Sequence, residues 1–252
     1  DPSLAESRDD LYIEYITLMN MCGEYERAYR CIMGRRFHPW EGGEGKVPAQ
    51  YQICRVELAK QNIAEGKYKC AVGLLEQCLT YPHHLGEGKL YGAQENDFYY
   101  LLGIAYDAQG NSKKAKECWE KAVLGPQEPA AAMYYNDAKP DKIFYQGMAL
   151  RKLGREDEAH GRFYRLINYG KQHVFEHQTM DYFAVSLPDL LIWDDSLDTK
   201  NVIHCKYMLA LGYCGMGDMK HTLKYLAEVE ALDNNHQGAQ QLRSLIDLKL
   251  LS

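Results

Sequence analysis

Residues 99–122 read YYLLGIAYDAQGNSKKAKECWEKA, and this stretch decides the fold. Its first half carries apolar side chains three and four residues apart, which is the spacing of one helix face. Gly110-Asn111 predicts a turn at which the chain reverses. The second half returns to helical spacing, with the small Ala115 where two helices approach closely and Trp119 filling the space further out. The stretch therefore predicts two antiparallel helices joined by a tight turn.

The same pattern recurs along the chain as a glycine followed five residues later by a small residue. The pairs are Gly23/Ala28, Gly66/Ala71, Gly110/Ala115, Gly154/Ala159 and, more loosely, Gly217/Thr222. The glycines lie 43, 44, 44 and 63 residues apart, with helical apolar patterns on both sides. A period of this length indicates a helical repeat protein, whose stacked units share a continuous core.

The repeat resembles the tetratricopeptide repeat (TPR) family, in which each unit is a pair of antiparallel helices. The third unit carries the aromatic, glycine and alanine positions of that family, and the fourth repeats them with Gly147, Gly154, Ala159 and Phe163. The resemblance implies an all-α fold, a TPR-like right-handed α-solenoid of about five helix-turn-helix units. Residues 236–251 are amphipathic and predict a capping helix at the C-terminal end.

This layout predicts a single domain over residues 1–252. A plain TPR unit has about 34 residues, so long insertions separate the units here. No change of composition marks a second domain. The chain opens with Asp1-Pro2-Ser3 rather than Met, and we expect it to be a piece of a longer protein.

The composition excludes several functional classes. The chain is 46% apolar and contains 20 tyrosines, which excludes intrinsic disorder. Its formal charge of −6 argues against binding to a nucleic-acid backbone. No uninterrupted apolar run approaches the ~20 residues that a membrane helix needs, and no signal-peptide pattern is present. We therefore expect a cytoplasmic protein that binds neither nucleic acid nor a membrane.

Eight cysteines favour a reducing compartment rather than a disulfide or zinc framework. No two of them are separated by only two residues, and each lies in an apolar stretch of helical spacing. Such isolated cysteines are usually reduced core side chains of cytosolic proteins. They are Cys22, Cys31, Cys54, Cys70, Cys78, Cys118, Cys205 and Cys214.

Two insertions between the units resemble one another. Residues 37–50 and 81–94 share a Gly-Glu-Gly-Lys core, 43 residues apart and in register with the helical repeat. One interpretation is a stereotyped structural loop, because glycines permit positive φ and the charged side chains bond locally. The other is a duplicated recognition loop. The residues that would then face a ligand are Trp40, Glu44, Lys46, Glu87 and Lys89.

Two motifs resemble enzyme sites without completing one. The Gly-Glu-Gly-Lys loops lack the Ser or Thr that follows the lysine of a P-loop, so we expect no nucleotide or other cofactor. His173-Val-Phe-Glu176-His177 has the spacing of inverted zinc peptidases, which would place two imidazoles one helical turn apart. No third ligand lies at a recognised spacing. We expect no metal and no enzyme in this region, and a zinc hydrolase is the last alternative.

The TPR resemblance also implies a ligand groove lined by the first helix of each pair. Its positions in the third and fourth units are Asp97, Tyr100, Ile104, Asp107, Phe144, Met148, Arg151 and Lys152. Aromatic surfaces beside charges suit a peptide, or a sugar stacked on an aromatic ring. The alternative is that Tyr100 and Phe144 pack between neighbouring units, as interior aromatic residues do.

The last insertion, residues 182–195, is unusually apolar for a connection. It predicts either a self-packed segment on the outer side of the units or an exposed patch that binds a partner. We favour self-packing, because exposed apolar patches of that size are rare on monomers.

A closer resemblance joins the loops to this insertion. Residues 36–46, the second Gly-Glu-Gly-Lys loop and residues 186–191 are similar to a group of long bacterial proteins. In that group a TPR region follows an N-terminal domain of poorly defined function with a galactose-mutarotase-like β fold. The resemblance implies a carbohydrate-related setting by association and transfers no catalytic residue.

The leading functional hypothesis is a non-catalytic TPR scaffold that mediates protein–protein or interdomain binding. Its partner would be a peptide, another protein or the parent chain's own N-terminal domain. The alternative is a carbohydrate-binding module, or the wall of an active site, that uses Trp40, Tyr100 and the two Gly-Glu-Gly-Lys loops.

Overall fold

The computed structural model describes residues 2–131, 139–179 and 196–251. In these three stretches the protein is all-helical, without a β-strand, and none of the helices is long and apolar enough to cross a bilayer. A short 3-10 helix at His83–Leu85 accompanies the α-helices, which are α1 (Pro2–Glu6), α2 (Asp9–Met21), α3 (Tyr25–Met33), α4 (Lys46–Ala64), α5 (Tyr68–Cys78), α6 (Asn96–Ala108), α7 (Ser112–Ala122), α8 (Pro140–Lys152), α9 (Glu156–His173), α10 (Leu197–Gly215), α11 (Met219–Leu232) and α12 (Gln237–Asp247). The apolar insertion at residues 182–195 lies outside the described residues.

Five pairs of these helices are closed by the same turn: α2–α3, α4–α5, α6–α7, α8–α9 and α10–α11. The glycine of each turn has φ between 74° and 78°, and the next residue donates its N–H to a carbonyl five residues earlier. In the third pair, the Asn111 N–H lies 2.9 Å from the Tyr106 oxygen. This is a Schellman motif, which ends a helix with a left-handed residue. The predicted reversals at residues 23, 66, 110, 154 and 217 are confirmed.

The glycine of each turn and the small residue that follows it are required for different physical reasons. At all five glycines an added Cβ would meet no atom within 4 Å, so the backbone angle alone requires glycine. The small residue five positions later is required for space, because its side chain lies where the two helices meet. These residues, Ala28, Ala71, Ala115, Ala159 and Thr222, are all fully buried. The all-α fold of five helix-turn-helix units is therefore confirmed.

The chain divides into two compact units. Unit 1 consists of Asp1–Ala93, Leu101–Ala115 and Ser244–Ser252, and unit 2 consists of Gln94–Tyr100 and Lys116–Arg243. Within each unit, helices that are adjacent in the sequence pack against each other, as in an α-solenoid. The prediction of a single domain over residues 1–252 stays a prediction.

Unit 1 is built around a core that α2, α3 and α4 share. Ile16, Ile32 and Tyr51 lie at its centre with at most 2% of their surface exposed. The C-terminal segment also belongs to this unit, and the Ser244 hydroxyl donates to the Glu57 carboxylate of α4 at 2.6 Å.

Unit 2 brings α8, α9 and α10 into close contact. A Cβ added at Gly147 would lie 2.3 Å from Phe163 Cε1, and one at Gly212 would lie 2.6 Å from Ile167 Cγ1. These glycines are needed because the neighbouring side chains occupy the space of a side chain. The residues of α8 from Ile143 to Leu150 are consequently all buried.

Buried amide side chains satisfy carbonyl groups at and beyond the helix ends in unit 2. Asn96 Nδ2 donates to the Ala122 and Leu124 oxygens at 2.7 Å each, at the end of α7. Asn201 Nδ2 donates to the His173 oxygen at 2.7 Å, at the end of α9. The last carbonyls of a helix lack partners within it, so these amides fix where each long connection begins.

The predicted capping helix is present as α12, which is shorter than the amphipathic stretch and ends at Asp247. Leu242 and Leu245 on its apolar face are 2% and 1% exposed. His236 precedes the helix, and its Nδ1 accepts a hydrogen bond from the Ala239 N–H at 3.0 Å. This bond satisfies one of the free donors at the start of the helix.

Candidate functional site

The two Gly-Glu-Gly-Lys loops lie side by side in unit 1. Glu87 of the second loop accepts a hydrogen bond from the Gly45 N–H of the first loop at 2.8 Å. Because Gly45 immediately precedes α4, the carboxylate lies at the positive end of that helix. Burial raises the pKa of Glu87 despite this bond, and the nearby Glu44 raises it further. The duplicated motif therefore connects the loops and caps a helix.

The tryptophan of the first loop packs inward. Trp40 is partly buried against the core of unit 1. Its ring covers Gly43 so closely that a Cβ at Gly43 would lie 2.0 Å from Trp40 Cε2. The first glycine of this Gly-Glu-Gly-Lys loop is therefore required by the indole ring, and the Trp40 side chain braces the loop.

The lysines of the two loops also bond within unit 1. Lys46 Nζ lies 3.7 Å from Glu14 Oε1, and Lys89 Nζ donates to the Leu79 oxygen at 3.0 Å, at the end of α5. Glu44 is exposed. These contacts favour the structural interpretation of the duplicated loops, and ligand contact by their exposed atoms stays a prediction.

The two loops differ after their lysines, which the shared sequence does not predict. Val47 is 1% exposed in the first turn of α4, and the first loop ends there. The equivalent residues of the second loop remain outside any helix, and Leu90 and Tyr91 are 59% and 109% exposed. Sequence reasoning missed this exposed apolar pair, because the match to the first loop ends at Lys89.

The predicted groove residues divide into interior and surface positions. The prediction that the aromatic ones face a groove is wrong. Tyr100 and Phe144 are fully buried and Met148 is 2% exposed, so none of them faces a groove. The Tyr100 ring lies 5.6 Å from the Tyr145 ring, between α6 and α8. The packing alternative therefore applies to both aromatic residues, and a sugar cannot stack on Tyr100.

The remaining groove positions keep polar or partly exposed side chains. Arg151 pairs with Glu156 at 2.9 Å and lies over the Phe163 ring at 5.2 Å. Lys152 lies over the Trp119 ring at 5.8 Å. Asp107 is exposed and Ile104 is half-buried.

Asp97 belongs to a half-enclosed charge cluster at the start of α6 and α8. Lys142 Nζ lies 2.6 Å from Asp97 Oδ1 and 3.8 Å from Asp141 Oδ2. Burial raises the pKa of Asp141, and the negative Asp97 adds to that effect while Lys142 opposes it. Sequence reasoning missed Asp141 and Lys142. The signal was present, because Asp141 follows Asp97 by 44 residues, the interval between the turn glycines.

The His-x-x-Glu-His motif does not form the geometry that its spacing predicts. Helix α9 ends at His173, so His177 lies in the following loop rather than one helical turn further on. His173 Nδ1 lies 2.6 Å from Glu176 Oε2, and His177 Nδ1 lies 3.0 Å from Asp198 Oδ2. Among the residues that the structure describes, no group of three His, Cys, Asp or Glu side chains is placed to hold a metal ion.

None of the eight cysteines forms a disulfide, and four are buried, two are partly buried and two are exposed. Burial raises the pKa of Cys54 and Cys214 to about 12 and that of Cys205 to about 11, which suppresses the nucleophilic thiolate. Cys22 and Cys70 are exposed, so the prediction that every cysteine is a core residue is wrong for these two. Cys22 lies in the turn that follows α2 and Cys70 lies in the first turn of α5, where apolar spacing in the sequence did not predict burial.

No protein-family model matches the chain. The TPR resemblance therefore depends on the repeat itself and on the geometry of its turns.

Proposed function

We propose that the chain is a non-catalytic TPR-like scaffold that binds a protein partner, either a peptide segment or another domain. The observation that carries the proposal is the recurrence of one helix pair five times, closed each time by a left-handed glycine and a buried small residue. Stacked helix pairs use their core residues for neighbouring pairs and their loops and outer surfaces for partners.

The chemistry of the described side chains supports a binding role. Asp97 is bonded to Lys142, and His173 and His177 are each bonded to a carboxylate. Thiols such as Cys54 have a raised pKa. These groups are engaged in holding elements together and are not arranged as a nucleophile with its base.

The surface proposed for partner contact is the loop face, defined as Glu44, Leu90 and Tyr91. Leu90 and Tyr91 are exposed apolar side chains of the second loop, and Glu44 is an exposed carboxylate of the first. Apolar and aromatic groups that remain exposed next to charges are typical of protein contact sites. The bond between Glu87 and Gly45 joins the two loops that carry these residues.

The test measures binding of the immobilised chain to peptide libraries and to any domain encoded upstream in its reading frame. We expect a saturable interaction that the double variant Leu90→Ser/Tyr91→Ser weakens at least about tenfold. The matched control is Tyr164→Ser, which removes another exposed aromatic side chain from α9. No interaction with any of these probes, or equal loss in the control, would overturn the proposal.

A further inference from the structure

The charge cluster at the start of α6 and α8 contains a carboxylate that its neighbours do not neutralise. Lys142 is engaged by Asp97 at 2.6 Å and lies over the Phe98 ring at 5.3 Å. Its Nζ is 3.8 Å from Asp141 Oδ2, which is too far for a hydrogen bond. Within the described residues, no other residue donates a hydrogen bond to the Asp141 side chain. The Asp141 carboxylate therefore lacks a donor.

The position of this carboxylate is electrostatically unfavourable. Asp97 and Asp141 each lie in the first turn of a helix, where the helix dipole favours negative charge. Burial nevertheless raises the pKa of Asp141 and Asp97 raises it further, while Lys142 and Lys139 only partly oppose this. A half-enclosed charge that has no bonded counter-charge has lost hydration without compensation. A cation that reaches Asp141 is therefore stabilised there.

A buried tyrosine of α10 supplies a second polar group without a partner. Helices α8 and α10 pack against each other, and Tyr207 of α10 is only 5% exposed. Its hydroxyl forms no hydrogen bond among the residues that the structure describes, but it is not fully enclosed, so solvent reaches it. Burial raises the pKa of Tyr207 well above its ordinary value, and the negative Asp141 and Asp97 add to that effect. The hydroxyl is thus directed toward both carboxylates.

The space around these groups suits a small ligand. The side chains of Asp97 and Lys142 are each 14% exposed and that of Asp141 is 22% exposed. A Cβ added at Gly238 of α12 would lie 2.8 Å from Tyr207 Oη, so a side chain there would displace the hydroxyl. A ligand must therefore be slim and must reach Asp141 with its charged end.

We propose that Asp141 and Tyr207 form a binding site for the ammonium group of a small primary amine. An ammonium group has three N–H donors, and the Asp141 carboxylate and the Tyr207 hydroxyl oxygen can each accept one. A hydrogen bond between an ammonium and a carboxylate is charge-assisted and stronger than one between neutral groups. Lys142 stays on Asp97, and the amine adds the cation that Asp141 lacks. This site goes beyond the scaffold role and does not depend on it.

The test titrates the intact chain with n-butylammonium chloride at constant ionic strength and follows saturation transfer from protein to ligand by NMR. We expect saturable binding with a Kd of about 1 mM. Tetramethylammonium, which has no N–H donor, and potassium should not compete. Competition by either of them at the same concentration would show a general cation site and overturn the proposal.

The capped peptide Ac-AAKAA-NH2 tests the other source of an alkylammonium group. Its backbone is too bulky for a half-enclosed site, so we expect it to bind more weakly than butylammonium. If the peptide binds more tightly, the site takes a lysine side chain of a protein, and the assignment to a small amine is wrong.

The key variant is Asp141→Asn, which keeps the shape of the side chain and removes its charge. We expect it to weaken binding of butylammonium at least about tenfold and to leave the Tm unchanged or higher, because burial opposes the charge. Tyr207→Phe removes only the hydroxyl and should weaken binding about threefold to tenfold. The matched control Asp157→Asn removes an exposed carboxylate from the first turn of α9 and should leave binding intact.

Two results would overturn the inference directly. One is the absence of saturable binding of butylammonium to the wild-type chain, and the other is equal binding by wild type and Asp141→Asn. If Asp141→Asn lowers the Tm by several degrees, Tyr207→Phe decides the question. Unchanged binding in Tyr207→Phe would then show that the hydroxyl is no part of the site, and the proposal would be wrong.

Discussion

At the scale of the residue, the five turn glycines show how a single backbone angle sets the architecture. Each adopts φ near +75° with open space around it, so a side chain there is opposed by backbone strain alone. A helical glycine provides the opposite case. Gly73 lies within α5, and an added Cβ there would also meet nothing within 4 Å. Substitution by alanine should therefore lower the free energy of unfolding at a turn glycine and raise it at the helical glycine.

Gly110→Ala should lower the free energy of unfolding by about 1 kcal/mol, because alanine is strained at φ +76°. Gly73→Ala should raise it by about 0.5–1 kcal/mol, because alanine favours the helix and meets no atom. Urea denaturation of both variants checks the pair. A loss of stability in Gly73→Ala as large as that in Gly110→Ala would show that space, not φ, limits these positions.

Glu87 makes the stability depend on pH. Burial raises its pKa, so folding favours the protonated form. The stability contributed by this group is fully present below the ordinary carboxyl pKa and is lost as the pH rises through the raised value. Glu87→Gln keeps an oxygen that accepts from the Gly45 N–H and does not titrate. We expect the free energy of unfolding of this variant to exceed that of wild type at pH 7 by less than about 1 kcal/mol. The difference should disappear near pH 4.

Thermal unfolding of wild type and Glu87→Gln between pH 4 and 8 measures this difference. The control Glu41→Gln changes an exposed glutamate of the first loop and should follow the wild-type profile. If the stability difference between Glu87→Gln and wild type instead grows as the pH falls, folding favours the ionised form of Glu87 and the prediction is wrong.

At the scale of the element, α4 contains a buried ion pair that the C-terminal segment completes. Lys60 Nζ lies 2.5 Å from Glu57 Oε1, with side-chain exposures of 0% and 3%. The Ser244 hydroxyl bonds the other oxygen of Glu57. Since both charges are removed from water, each depends on the other for compensation. The pair joins α4 to a residue 187 positions away from Glu57 in the sequence.

Lys60→Met should destabilise the protein by about 3–5 kcal/mol, because it leaves the Glu57 carboxylate buried without its cation. The double variant Glu57→Leu/Lys60→Met should recover most of that loss, since no charge is left unpaired. Chemical denaturation of the three proteins provides the measurement. Lys67→Met is the matched control, because Lys67 pairs with Glu65 in solvent and its loss should change little. A double variant as unstable as Lys60→Met would refute this account.

At the scale of the whole molecule, each of the two compact units encloses its own apolar side chains. The His-x-x-Glu-His motif has the spacing of a zinc site, the last alternative that the sequence leaves, and the structure pairs each histidine with a carboxylate. We therefore expect less than stoichiometric zinc in the purified chain and an unchanged Tm after treatment with EDTA. Metal analysis together with calorimetry checks this, and a Tm that falls with the chelator would restore the metal hypothesis.

The predictable part of the fold is the part encoded locally. The turn at Gly110, the close contact at Ala115 and the helices on either side depend on residues within about one helix length, so periodicity was sufficient. The candidate site was less predictable. Tyr100 fits a groove position by its spacing but lies in the interior, because α8 packs against it through Tyr145.

The sequence by itself determined that this protein consists of antiparallel helix pairs, because left-handed turns and small contact residues act between near neighbours in the chain. Only the tertiary structure decided which loops meet and which charges are compensated. Glu87 reaches Gly45 across 42 residues and Ser244 reaches Glu57 across 187. Burial is a property of the surrounding elements and not of the residue. For this reason the exposed Tyr91 became recognisable only in three dimensions.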